Sequence, residues 1–282
     1  EAGTSLSGVA VGLLDVLLQS GNGTPAAVAP PVAPAPVAPP TKILVIDIGG
    51  TKVKILARGQ TEARKTESGK TLTPTKMVES VKALSQDWDY EAIALGYPGL
   101  VGQHGPRAEP GNLGPGWVGF DFAAAFGLPV RIVNDAAMQA LGSYEGGRML
   151  FLGLGTGLGS ALIVESVVLP LELGCLPFTQ GVTLGQTLGK KGLDRLGKDL
   201  WREAVRETVA AMSKAFVTDY VVLGGGNSKR VKELPPGARL GHNLTAFRGG
   251  LRAWNVDSMP TQSADGDHHP EVTKPPAEWR VI

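Results

Sequence analysis

Short apolar runs, most of them followed by glycine, asparagine or aspartate, recur along the chain between Leu44 and Leu223. Runs of this length that are rich in β-branched residues are typical of buried strands. We predict strands over Leu44–Ile48, Val53–Ala57, Ala92–Gly96, Val130–Val133, Met149–Leu154, Ala161–Val164 and Tyr220–Leu223. Because stretches with helical spacing separate several of these runs, the pattern predicts an α/β fold.

Apolar residues at helical spacing predict three helices. The first begins at Thr73, an N-cap that is followed by Pro74 at the first helical position. The second is predicted over residues 136–141 and the longest from Asp194 to Phe216. We interpret the apolar face of the longest helix as core, and its members are Leu196, Leu200, Ala204, Val205, Val209, Met212 and Phe216.

The two ends of the chain differ from its middle. Residues 1–40 form an Ala/Pro-rich extension and linker, since repeated prolines favour extended conformations. The short apolar segment Leu13–Leu18 is too short to span a bilayer, and we predict no signal peptide. The tail 258–282 is polar and rich in helix breakers, which predicts disorder. Between the ends we predict an N-terminal domain over 41–148 and a C-terminal domain over 149–257.

Charge and cysteine content narrow the functional classes. The 282 residues include 27 basic and 26 acidic ones, so a net charge of +1 argues against a nucleic-acid partner and against a polybasic membrane surface. Cys175 is the only cysteine, which excludes an intrachain disulfide and a Cys-rich zinc site. A single cysteine suits a reducing compartment, and we expect a cytoplasmic protein.

The segment from Leu44 to Ala57 joins two predicted strands through a turn that holds an acid, two glycines and a threonine. The backbone N–H groups of Gly49 and Gly50 and the hydroxyl of Thr51 can face an anion, and Asp47 can hold a cation through water. The alternative is an ordinary turn in which Asp47 caps its own backbone.

The same design of strand, glycine-rich turn and strand returns at Gly155–Ser160. Two such turns can hold one polyphosphate chain from both sides. This is not a Walker loop, because the Gly-Lys-Ser/Thr ending is missing. A third turn, Gly224–Ser228, follows a predicted strand and has room for a flat base or a ribose close to the backbone.

Four further side chains are candidates for a sugar site. In the loop 102–119, Asn112 can bind hydroxyls and Trp117 can cover a sugar ring, although such residues also shape turns and anchor loops. Asp135 follows a buried strand and can accept a proton from a substrate hydroxyl, or else cap the following helix. Glu172 has two acceptor oxygens for adjacent hydroxyls, or is an exposed charge.

Five segments occur in an order that resembles sugar kinases of the ROK family, and the likeness runs from about Lys42 to about Trp254. They are D-I-G-G-T (Asp47–Thr51), N-D-A (Asn134–Ala136), G-T-G-L-G-S (Gly155–Ser160), E-L-G (Glu172–Gly174) and L-G-G-G-N (Leu223–Asn227). Within the family the chain looks closest to the polyphosphate/ATP glucokinase branch.

The resemblance implies a two-domain actin/hexokinase-like (ribonuclease H-like) fold with an interdomain cleft. It implies that Asp135 is the catalytic base and that Asn112, Asn134 and Glu172 bind the hexose. The donor, ATP or inorganic polyphosphate with Mg²⁺ at Asp47, would lie against Asp47, Gly49, Gly50, Thr51, Lys52, Gly155, Thr156, Gly157, Gly159, Gly224, Gly225, Gly226 and Asn227. No zinc is expected. The predicted partners are a hexose and a second copy of the chain in a homodimer.

The chain departs from the family after Glu172, where a histidine and a glutamate that contact the sugar are replaced by Cys175 and Pro177. A thiol cannot match imidazole as an acceptor, so we expect hexose affinity or identity to change. Two functions stay open. One is phosphoryl transfer to a hexose, with O6 of glucose as acceptor; the other is a catalytically weak sugar-sensing or scaffold protein without a DNA-binding domain.

Overall fold

The computed structural model describes residues 39–179, 181–242, 244–256 and 279–282. The predictions for residues 1–38 and for most of the tail therefore lie outside the described residues. The described chain belongs to one compact unit that contains two large sheets.

The first sheet has five strands in the order β3-β2-β1-β4-β7. Strands β1 and β2 form the predicted hairpin, and β4 and β7 run parallel to β1. Every residue of β1 and of β4 is buried, as expected for strands covered on both faces. The strands of this half are β1 (Ile43–Ile48), β2 (Lys52–Ala57), β3 (Arg64–Glu67), β4 (Ala92–Tyr97), β5 (Val101–Gly102), β6 (Gly105–Pro106) and β7 (Val130–Asn134).

The second sheet has six strands in the order β14-β13-β8-β9-β10-β15. Strands β8 and β9 repeat the hairpin design of β1 and β2, and β13 runs parallel to β8. The strands of this half are β8 (Arg148–Leu154), β9 (Leu158–Val164), β10 (Val167–Leu171), β11 (Pro177–Thr179), β12 (Val182–Thr183), β13 (Tyr220–Gly224), β14 (Ala238–Leu240) and β15 (Arg280–Val281).

Six α-helices accompany the sheets in the described residues: α1 (Pro74–Leu84), α2 (Phe122–Phe126), α3 (Asp135–Ser143), α4 (Leu184–Leu188), α5 (Lys190–Ala215) and α6 (Thr245–Arg252). Thr73 caps α1 with Pro74 in its first turn, as predicted. None of these helices combines the length and the apolar character that crossing a bilayer requires.

The longest helix differs from its prediction because Gly197 interrupts it with non-helical backbone angles, φ 75° and ψ 170°. The interruption changes the helical phase, so Leu200 is 65% exposed although the sequence placed it on the core face. Trp201 is fully buried in its place, and its indole N–H donates to the carbonyl of Leu188 at 3.0 Å. Beyond the interruption, Ala204, Val205 and Val209 pack in the core as predicted.

Helices α3 and α6 cross with their backbones in contact. A Cβ at Gly142 of α3 would collide with the carbonyl of Thr245, and one at Gly249 of α6 with the carbonyl of Met138. Arg252 donates to the carbonyls of Leu141 and Tyr144 at the end of α3, at 2.6 and 2.8 Å. Although the sequence assigned α6 to the C-terminal domain, it therefore packs on the helix that follows the first sheet.

The prediction of a disordered tail is wrong for the last four residues. Strand β15 pairs in parallel with β10 at the edge of the second sheet. Beside it, the backbone N–H of Trp279 donates to Asn255 at 3.0 Å, and its ring meets Tyr144 edge-on with 5.4 Å between centroids. A partly buried aromatic and a strand partner outweigh the polar composition of the preceding stretch.

Candidate functional site

A cleft of about 940 Å³ lies where the glycine-rich turns of both sheets meet. It brings together nearly all of the predicted site residues: Asp47, Gly49, Gly50, Thr51, Asn112, Asn134, Asp135, Gly155, Thr156, Gly157, Gly159, Glu172, Gly224, Gly225 and Gly226. Two predicted residues, Lys52 and Asn227, do not line it. Residues far apart in the chain thus share one cavity, as the order of the motifs predicted.

Asp135 lies at the first position of α3 and lines the cleft. Helix capping falls to its neighbour, because the side chain of Asn134 accepts from the N–H of Ala137 at 3.0 Å. Burial first and the charge of Asp47 second raise the pKa of Asp135 to about 7, against a hydrogen bond from Ala136 that lowers it. A carboxyl with this pKa can accept a proton near neutral pH, which an exposed aspartate does poorly.

Asp47 ends up buried on β1, and burial raises its pKa while Lys54 lowers it. The ammonium group of Lys54, directly opposite on β2, lies 3.8 Å from the carboxylate of Asp47. Lys54 is a cleft residue that no sequence motif predicted. Its position was readable from the hairpin, since a two-strand register with a short turn pairs Asp47 with Lys54.

Three motifs converge at Gly50. A Cβ at this position would collide with the side-chain amide nitrogen of Asn112 and lie 3.7 Å from the hydroxyl oxygen of Thr156. The first turn, the loop 102–119 and the second turn therefore touch at one point, and the absence of a side chain at Gly50 makes room for the Asn112 amide.

Trp117 does not contact the cleft. It is fully buried in the hydrophobic core beside the first sheet, and its indole N–H donates to the carbonyl of Gly114 at 2.7 Å. The carboxylate of Glu109 accepts from three successive backbone N–H groups, those of Gly116, Trp117 and Val118, at 3.0 to 3.2 Å. The hypothesis that Trp117 covers a sugar is wrong and its alternative, an anchor for the loop, is confirmed.

Two hydrogen bonds from uncharged N–H groups fix the position of the second turn. The side chain of Asn227 donates to the carbonyl of Gly155 at 3.1 Å, and the backbone N–H of Lys190, at the start of α5, donates to the same carbonyl at 3.0 Å. Asn227 thus positions this turn instead of lining the cleft.

Lys52 is the other predicted residue that lies outside the cleft. Its ammonium group lies 3.8 Å from the carboxylate of Glu67 on β3.

The third turn follows β13 and lies against the end of β8. Gly225 has φ +78°, and a Cβ there would lie 2.6 Å from the carbonyl oxygen of Leu154. Only glycine satisfies both the backbone angle and this close approach. Cleft residues near this end that the sequence did not predict include Gln139, Phe151, His242 and Phe247. His242 and Phe247 escaped prediction because no motif surrounds them.

Glu172 lines the cleft at a solvent-exposed position, and partial desolvation of its carboxylate raises the pKa. The residues that follow point elsewhere. Cys175, in the 3-10 helix Leu173–Cys175, is exposed, and Pro177 is exposed on β11; neither lines the cleft. The expectation that Cys175 faces the sugar is therefore wrong, because the 3-10 helix turns its side chain outward.

A Mg²⁺ ion fits the acidic end of the cleft. The described residues contain no cluster of three or more His, Cys, Asp or Glu side chains that would enclose a metal. Magnesium needs fewer protein ligands, since one or two carboxylates serve when substrate phosphates and water complete the shell. The charge of Asp47 raises the pKa of Asp135, so two acids share one buried place where a cation would relieve their repulsion. Asp47 is the residue suited to hold it.

Comparison with known proteins identifies similar sequences and structures. Residues 43–170 match the ROK family model. The bifunctional enzyme NanE/NanK of Brucella melitensis biotype 1 is 31% identical over 140 residues, which are 45% of this chain and 27% of that protein. The polyphosphate glucokinase of Mycobacterium tuberculosis is 25% identical over 221 residues, 68% of this chain and 80% of that protein. The chain thus spans about a quarter of the first relative and most of the second.

Among solved structures, the inorganic polyphosphate/ATP-glucomannokinase of Arthrobacter sp. strain KM superposes with a TM-score of 0.64 at 24% identity, covering 76% of this chain and 98% of that one. The likeness confirms the predicted fold class, an α/β fold of the actin/hexokinase-like type. Residues 43–170 are thus similar to the ROK family, and the chain shares its fold with this solved structure.

Proposed function

We propose that this protein is a sugar kinase that transfers the terminal phosphoryl group of ATP or inorganic polyphosphate to a hexose, with O6 of glucose as acceptor. The observation that carries the proposal is Asp135. It is a partly buried carboxyl with a pKa raised to about 7, and it lines a cleft together with two glycine-rich turns.

In this proposal Asp135 accepts the proton of the sugar hydroxyl as its oxygen attacks the terminal phosphorus, in line with the leaving oxygen. Asn112 and Glu172 bind other hydroxyls, since an amide and a carboxylate offer donors and acceptors at the cleft wall. Asn134 contributes less than the sequence implied, because its amide already donates to Gly99 at 3.0 Å and accepts from Ala137.

The donor phosphates would lie between the first two turns. The hydrogen bonds of the described residues leave the backbone N–H groups of Gly50, Thr51 and Thr156 without a protein acceptor. Such groups bind phosphate oxygens well when they converge from two turns. Mg²⁺ bound with the donor would neutralise charge on the transferred phosphoryl group.

Two relatives support the substrate classes by their names. One is a polyphosphate glucokinase and the other a polyphosphate/ATP-glucomannokinase. Glucose is therefore the first acceptor to test, with mannose and N-acetylmannosamine beside it. A cytoplasmic location and a homodimer stay predictions.

The purified protein should form sugar phosphate from glucose, Mg²⁺ and either donor, measured directly by phosphorus NMR of the product. Binding of glucose without product from any donor would instead favour the sugar-sensing alternative. Neither binding nor turnover with the three hexoses would contradict the proposed substrate class.

A further inference from the structure

Asp47, Lys54 and Lys65 form a row across three adjacent strands of the first sheet. Lys54 of β2 is the direct cross-strand partner of Asp47 on β1 and of Lys65 on β3. Paired residues of antiparallel strands point to the same face, and all three line the cleft. The preceding residue, Arg64, points its guanidinium to the opposite face, where it pairs with Asp87 and lies 4.2 Å above the Trp88 ring.

Two lysines directly opposite each other destabilise a sheet. The next pair on the same face of these two strands shows the stable arrangement, Lys52 opposite Glu67 with 3.8 Å between charges. Lys54 has Asp47 beside it, but Lys65 is exposed and forms none of the ion pairs found in the described part of the chain. The stability of the sheet does not explain this pair of like charges.

We infer that Lys54 and Lys65 bind the phosphate chain of linear inorganic polyphosphate behind the phosphate that is transferred. The inference rests on the proposed function and assigns its donor. Neighbouring strands lie about 4.8 Å apart, so Lys65 stands roughly 10 Å from Asp47 across the sheet, toward its edge. A repeating chain of phosphates can follow such a row and needs no fixed geometry from exposed ammonium groups.

A nucleoside triphosphate has a different path. Its base and ribose would lie at Gly224–Gly226 on the second sheet, and its short phosphate chain would run from there to the reaction centre. Lys65 lies on the edge strand of the first sheet and is off that path. A contact with Lys65 would therefore distinguish polyphosphate from a nucleoside triphosphate.

With polyphosphate as donor, one bond to phosphorus forms while another breaks. The sugar oxygen forms a bond to the terminal phosphorus, the bond from that phosphorus to its bridging oxygen breaks, and the proton goes to Asp135. Polyphosphate leaves one unit shorter, with a new terminal charge that Lys54 neutralises.

The test compares donors in the full chain carrying Lys65→Ala or Lys65→Glu. With sodium polyphosphate of medium chain length, Lys65→Ala should raise KM about two- to fivefold, the range of an exposed ionic contact, and Lys65→Glu should raise it more. The KM for ATP should stay unchanged in both variants, and added salt should reduce the difference for polyphosphate.

Lys76→Ala is the matched control, because Lys76 is an exposed lysine on α1 outside the cleft. It should leave both KM values unchanged. Equal increases for ATP and polyphosphate in Lys65→Ala would overturn the inference, as would no increase for either donor.

A binding measurement separates this inference from the proposed function. If no sugar is phosphorylated, the proposed function fails, but sodium polyphosphate should still raise the melting temperature of the wild type more than that of Lys65→Ala. Equal shifts in the two proteins would overturn the lysine row independently of activity.

Discussion

The two hairpin turns have the same design and different surroundings. The first, between β1 and β2, has Asp47 and Lys54 beside it and the Asn112 amide above Gly50. The second, between β8 and β9, is fixed by hydrogen bonds from Asn227 and from the start of α5. Both turns therefore bring backbone donors to the cleft, and only the first has charged side chains beside it.

In the proposed kinase, this difference separates two tasks of a phosphoryl-transfer site. Holding a phosphate needs N–H groups in fixed positions, whereas charge near the reacting atoms determines protonation and cation binding. Burial is the main cause of the raised pKa of Asp135, and the charge of Asp47, beside the first turn, adds to it. Changes at the first turn should therefore alter chemistry, and changes at the second should alter donor binding alone.

Asp135→Asn should have the largest effect, because it removes the group on which the charges of the first turn act. Turnover should fall about 10²- to 10⁴-fold, the usual contribution of a general base. Hexose binding should persist, measured by calorimetry. The matched control is Asp121→Asn: Asp121 caps α2 through the N–H of Ala124 at 2.9 Å, and asparagine caps equally well. A mutant at Asp135 with wild-type turnover would contradict the assignment.

The pH dependence should show the influence of the first turn directly. With its pKa at about 7, Asp135 must lose its proton to act as a base, so kcat should rise about tenfold per pH unit below pH 7 and level off above it. In Asp47→Asn the midpoint should move to lower pH, because one negative charge near Asp135 is gone. A midpoint that does not move would mean that Asp47 does not influence the base.

The contribution of Asp135 to stability should fall as the pH rises, whereas kcat should rise. The pKa of Asp135 is raised from 3.8 in the folded protein, so protonation stabilises the fold at low pH and this contribution is lost as the pH rises through about 7. Asp135→Asn should therefore melt at a higher temperature than wild type at pH 8 and show a smaller advantage at pH 5. Calorimetric melts at both values check this.

Alanine at one glycine of each turn tests the comparison of the turns. At Gly50 a Cβ collides with the Asn112 amide, whereas at Gly157 nothing lies within 4 Å. Gly50→Ala should raise the KM for the hexose about two- to twelvefold, the cost of one hydrogen bond, and Gly157→Ala less than twofold. Equal effects in both variants would show that Asn112 does not depend on the space at Gly50.

The smallest effect is expected at Cys175. Because its side chain is exposed and outside the cleft, Cys175→His should change the KM for glucose less than twofold. Glu172→Gln is the comparison, since Glu172 lines the cleft and should cost about two- to twelvefold. A marked gain of affinity in Cys175→His would mean that the 3-10 helix rearranges when sugar binds.

The sequence predicted the fold well where local patterns decide it. Strand runs, the Thr73 cap and the two hairpins need only neighbouring residues, and each is present. The predictions for Leu200 and for β15 were wrong for two reasons: Gly197 reset the phase of α5, and a distant partner strand fixed the last residues. Neither effect is visible in local composition.

The site followed the same rule. Motif residues that hold backbone turns were placed correctly, because glycine geometry is local. Lys65, His242 and Phe247 reach the cleft through sheet register and helix packing, which involve residues far apart in the chain. Trp117 and Cys175 were placed wrongly because composition does not say which way a loop turns its side chains.

The close crossing of α3 and α6 affects how an activity screen of single variants is interpreted. Gly142 and Gly249 have backbone against backbone, so in a library of all single variants both positions should tolerate nothing larger than hydrogen. Gly142 lies at the far end of the helix that begins with Asp135, and Gly249 lies on the helix that crosses it. Loss of either glycine would remove activity by unfolding. A screen scored on activity alone would thus report two false catalytic positions, and a parallel abundance measurement would identify them as structural.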